Sequence, residues 1–167
     1  MERLMELVRG VTEKKFGFRM DEVMSGTHVF EPGAGPEGRH EFSFTVTWGP
    51  DDLVRWLDPR SGSFLTQDLD GTVTIGGLCE AAPCQGRLEL RYFDEHVLRY
   101  RFEFEVAGVR YRYVGEKVNI QPWNLPVSHT TCFGVVTEVE SGRLISRSVT
   151  HFRLRTVPAF LKSLRAA

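Results

Sequence analysis

The segment Arg99–Lys117, RYRFEFEVAGVRYRYVGEK, alternates large apolar residues with charged ones on both sides of Ala107-Gly108. Successive side chains of a strand point to opposite faces, so this period of two describes a half-buried antiparallel hairpin. A two-residue turn at Ala107-Gly108 sets Val106 against Val109, Phe104 against Tyr111, Phe102 against Tyr113 and Tyr100 against Gly115 on one face. The other face sets Glu105 against Arg110, Glu103 against Arg112 and Arg99 against Glu116. Each opposite-charge pair is worth roughly 0.2–1 kcal/mol. A slip by one residue would destroy the ring ladder and the charge pairing together.

The same alternation recurs along the chain. Glu41–Trp48 puts Phe42, Phe44, Val46 and Trp48 on one face, Gly86–Tyr92 puts Leu88, Leu90 and Tyr92 inward, and Gly71–Ile75 is a shorter strand. Met20–Glu31 reads as a first strand whose inner face is ambiguous. Thr130–Glu140 and Arg143–Leu154 read as a second hairpin around Ser141-Gly142. That register lines one face with Thr131, Phe133, Val135, Thr137, Ser146, Ser148, Thr150 and Phe152, and leaves Cys132, Val136 and His151 on the other. Pro50–Leu57 reads as a short capped helix. Gln121–Ser128, interrupted by prolines, is an apolar loop carrying Trp123. Met1–Phe16 and Pro158–Arg165 carry apolar residues at helical spacing and read as short terminal helices.

These elements predict a single all-β domain over residues 1–167, with about eight antiparallel strands joined mostly by short turns. Sequential amphipathic strands hide their apolar faces best in an up-and-down barrel, which has no exposed edges. Lys and Arg number 21 and Asp and Glu 22, a formal net charge of −1, so nothing draws the chain to nucleic acid or an anionic membrane. No apolar run approaches the roughly 20 residues that span a bilayer, and the N-terminus does not read as a signal peptide. Cys79, Cys84 and Cys132 lack the spacing of a disulfide framework or zinc site, which fits a cytoplasmic chain with free thiols. The histidines lack ligand spacing, so no metal or cofactor is expected; Ser25 and His28 read as surface polar residues.

Whether the interior is filled or hollow stays open at this stage, because small hydroxyl residues facing aromatic rings fit either arrangement. Lys117 is the sharpest question. By strict alternation it faces inward opposite Leu98, where an amine could hold a carboxylate or act as base or nucleophile. A bulge at Gly115 would reverse the parity, turning Val118 and Ile120 inward and Lys117 outward. That suits their polarity, so an outward or rim position is the expectation.

The strand pattern resembles the calycin superfamily, the lipocalin-like barrels that carry small apolar molecules. Met24–His28 (MSGTH), Tyr111–Lys117 (YRYVGEK) and Thr130-Thr131 are also similar to bacterial barrel domains that accompany cholesterol-oxidase-type flavoenzymes. The resemblance implies an accessory role in sterol or lipid metabolism. The leading expectation is a barrel that binds a small apolar molecule (a lipid, sterol or polyketide-like metabolite) between Phe44, Tyr100, Phe102, Phe104, Tyr111, Tyr113 and Phe133, gated by Trp123. One alternative is a cofactor-free isomerase or cyclase using Lys117, Tyr111 or Tyr113. The other is a filled barrel serving as an interaction module, with a partner enzyme or a second copy of the chain as its counterpart.

Overall fold

A computed structural model describes residues 16–91, 93–118, 131–152 and 165–166. The N-terminal helix, Tyr92, the Trp123 loop and most of the helix expected from Pro158 lie outside the described residues. The elements are β1 (Phe18–Phe30), β2 (Arg39–Trp48), α1 (Leu53–Trp56), β3 (Thr66–Ile75), β4 (Cys79–Arg91), β5 (Val97–Val106), β6 (Val109–Lys117), β7 (Thr131–Glu138), β8 (Leu144–Phe152) and the short β9 (Arg165–Ala166). Strands β2 to β8 pair in chain order, and β1 pairs with both β8 and β2. The result is a closed eight-stranded antiparallel up-and-down barrel, with β9 added to the start of β1. No helix among the described residues is long and apolar enough to cross a membrane.

The central hairpin has the register its alternation predicts, from Val106 opposite Val109 to Leu98 opposite Lys117. Ala107 and Gly108 both have positive φ, at 50° and 79°, as the favoured two-residue hairpin turn requires. Arg99 pairs with Glu116 at 2.7 Å and Arg112 with Glu103 at 2.6 Å across its outer face. At Gly26, Gly71 and Gly86 the neighbouring backbone occupies the space a Cβ would need, which lets the sheet bend tightly at those points.

Aromatic rings meet across the barrel axis. Phe42 on β2 lies 5.2 Å from Tyr113 on β6, and Phe44 lies 5.4 Å from Phe102 on β5. Phe102 and Tyr113 are 4.8 Å apart, and all four rings are buried. The barrel is therefore filled at mid-height, as an eight-stranded barrel commonly is.

Three expectations are overturned. Lys117 faces inward: β6 runs through Gly115 without a bulge, so strict alternation holds and the side chain is 3% exposed. The second hairpin is one residue out of the expected register, pairing Cys132 with Thr150 and Phe133 with Val149. Its connection is a longer loop, Val139–Arg143, with an irregularity between Val136 and Thr137. The parity of β7 is thereby inverted. Cys132 and Val136 point inward, while Phe133 is on the outside at 53% exposure. Ser146, Ser148 and Thr150 still line the interior as expected. Finally, His28 is buried rather than superficial, its Nε2 bonded to the Gly76 carbonyl at 2.9 Å.

Candidate functional site

The barrel's two ends differ. One is closed by the connections Glu31–Gly38, Gly76–Leu78, Ala107–Gly108 and Val139–Arg143. At the other end lie the long connection 49–65 and the point where β6 ends and β7 begins. Helix α1 belongs to the first of these; the Asp52 side chain accepts from Arg55 N at 3.0 Å and starts it. Trp56, on α1, is buried edge-on to Phe18, which in turn meets Trp48.

Just inside this end lie Glu22 and Lys117, the charged residues buried among those described. Alternation on β1 sends Glu22 inward with Met24, His28 and Phe30, and alternation on β6 sends Lys117 inward with Tyr113. Lys117 Nζ donates to Glu22 Oε1 at 2.8 Å, and the Tyr100 hydroxyl donates to the same oxygen at 2.8 Å. Trp48 Nε1 reaches Oε2 at 3.3 Å, and the ammonium lies 5.2 Å from the centre of the Tyr100 ring. Leu90 and Leu98 are level with Lys117 across β4 and β5.

Burial pushes the Glu22 carboxyl up, but the Lys117 charge and the hydrogen bonds from Lys117, Tyr100 and Trp48 outweigh it and hold it below its ordinary value. Burial raises the Tyr100 hydroxyl well above the phenol range, and the Glu22 charge adds to the effect. Tyr113 is likewise raised, by burial first and then by Cys132, whose thiol lies 3.6 Å from the phenol oxygen. Burial lifts the Cys132 thiol to about 11, so near neutrality it is a thiol and no ready nucleophile. Tyr100 is a hydrogen-bond donor to Glu22, and neither tyrosine is ionised to act as a base.

A row of buried hydroxyls runs up β8 opposite the rings. Ser148 and Thr150 approach the Tyr113 phenol without closing a well-formed hydrogen bond. Ser146 Oγ and His28 Nδ1 have no partner among the described residues.

The ring residues anticipated from the sequence divide by height. Phe44, Phe102 and Tyr113 form the filled layer under the Glu22–Lys117 pair, and Tyr100 joins the pair itself. Phe104 and Tyr111 stack on each other at 5.6 Å toward the tight-turn end. Tyr111 is six residues from Lys117 along β6, about 20 Å away, so these two do not form one cluster. Trp123 is outside the described residues. Glu22 and Trp48 were not anticipated as site residues. The signal for Glu22 was its shared parity with Met24 and Phe30, which Val23 and Val29 on the opposite face obscure.

The fold and the site together define a closed antiparallel barrel with a buried ionic cluster near its long-connection end. No protein-family model, curated protein or solved structure matches this chain.

Proposed function

We propose that the barrel binds a small, mainly apolar molecule through its long-connection end, with the polar group of that molecule against Lys117. The observation that carries this reading is the Glu22–Lys117 pair itself. Buried ion pairs are often no more stabilising than apolar residues of the same shape, so stability alone is a poor reason for one inside a barrel whose core is mostly rings and aliphatic chains. Glu22 is already hydrogen-bonded on both oxygens, whereas the Lys117 ammonium has three donors and one acceptor among the described residues. The donors without an acceptor among the described residues favour a ligand that offers one. Because the pair is neutral overall, a hydroxyl or carbonyl oxygen suits it better than a carboxylate, which would add an unbalanced charge in a low-dielectric setting. Trp48, Leu90 and Leu98 supply apolar walls at this level, and the Phe44–Phe102–Tyr113 layer supplies a floor.

Ten-carbon compounds with the same chain and different heads test this. Decanol and 2-decanone are expected to raise the melting temperature more than decanoic acid does. In the Glu22→Gln/Lys117→Met double variant the preference should fall by about three- to tenfold in affinity, the worth of one hydrogen bond. No shift with any of these compounds would remove the binding reading. A second reading, a barrel acting as an interaction module, is favoured by its outer surface.

A further inference from the structure

The outer face of β6, β7 and β8 carries apolar residues where the neighbouring β5 carries charge. Glu116, Phe133 and Val149 lie side by side in one row, and Val114, Val135 and Arg147 in the next. Phe133 is 53% and Val149 37% exposed, and the six residues line a groove of about 440 Å³. Val29, 47% exposed, extends the apolar surface beyond Arg147 onto β1. Contiguous apolar surface of this kind, rimmed by charge, marks a binding surface.

The arrangement of charge identifies the occupant. Glu116 and Arg147 stand at opposite corners of the two rows, with the four apolar residues between them. A two-fold axis lying in the plane of the face, perpendicular to that diagonal, brings two such faces together apolar on apolar. It places each Glu116 over the partner subunit's Arg147. Within one chain Glu116 is bound to Arg99 at 2.7 Å and Arg147 to Glu31 at 2.7 Å. Pairing two copies therefore extends each ion pair into a row of alternating sign, Arg99, Glu116, the partner's Arg147 and the partner's Glu31. Self-complementarity of this sort is what a symmetric dimer needs. We infer that the chain forms a two-fold homodimer through the β6–β7–β8 face. This inference is independent of what the interior binds.

Sedimentation velocity over about 5 to about 200 µM should show wild type moving from monomer to dimer by mass action. Phe133→Asp should remain monomeric throughout, with its dilute melting temperature unchanged, because the side chain is outside the core. Val54→Asp, at an apolar and still more exposed position on α1, should still dimerise. Glu116→Lys and Arg147→Glu should each weaken self-association, since like charges then meet twice. Mixing these two variants should restore a dimer, a heterodimer in which the introduced lysine faces the introduced glutamate and the native pair is kept at the other contact. A wild-type chain that stays monomeric, a Phe133→Asp chain that still dimerises, or a mixture that forms no heterodimer would each overturn the proposal.

Discussion

Truncation of Lys117 to alanine is expected to destabilise the barrel by about 3–5 kcal/mol, since it leaves the Glu22 carboxylate buried without its counter-charge. Glu22→Ala should be comparably severe, stranding the ammonium at 3% exposure beside the Tyr100 ring. The double variant Glu22→Gln/Lys117→Met should be markedly more stable than either single one, because no unpaired charge remains in the interior. Urea denaturation of wild type, Glu22→Gln, Lys117→Met and the double variant closes the cycle; a double variant as unstable as the sum of those two singles would mean that the two side chains act independently. The pair also sets an acid limit. Glu22 is held below its ordinary value of 4.5 in the folded barrel, so its contribution is complete above the unfolded pKa. That contribution is lost as pH falls through the lower folded-state pKa. In the double variant this part of the acid dependence should be missing.

Gly134→Ala is the second large effect, at about 2–3 kcal/mol from overpacking. A methyl group there would come within 2.5 Å of Tyr113 Cζ, and one at Gly115 within 2.6 Å of the same atom. The ring passes over both glycines, and it cannot yield. Phe42, Phe44 and Phe102 hold it from the other side, with centroids 5.2, 5.5 and 4.8 Å away. In a Tyr113→Val background the alanine at position 134 should therefore be nearly neutral. Thermal melts of the two singles and the double measure the coupling, and equal losses in both backgrounds would contradict this packing.

Much of the barrel was legible because its pattern is local. The central hairpin carries rings on one parity, charges on the other and a turn whose geometry fixes the register, so Arg99 through Glu116 could be placed from the sequence. The second hairpin was not, because β7 is apolar on both parities: Phe133 and Val135 outside compete with Cys132 and Val136 inside. With no amphipathic contrast, only the loop length set the register, and loop length is not written in the alternation. Lys117 was misjudged for a related reason. A lysine at an inward position looks unfavourable until its partner is known, and Glu22 is 95 residues away on a strand whose own inner face was ambiguous. Two long-range companions justify each other where neither is interpretable alone.

The buried ion pair can be observed directly by side-chain ammonium NMR of ¹⁵N-lysine-labelled protein near neutral pH. The account predicts one protected, slowly exchanging ammonium resonance that belongs to Lys117 and disappears in Glu22→Gln. A Lys117 ammonium that exchanges with water as fast as surface lysines do, or that is indifferent to Glu22→Gln, would contradict it.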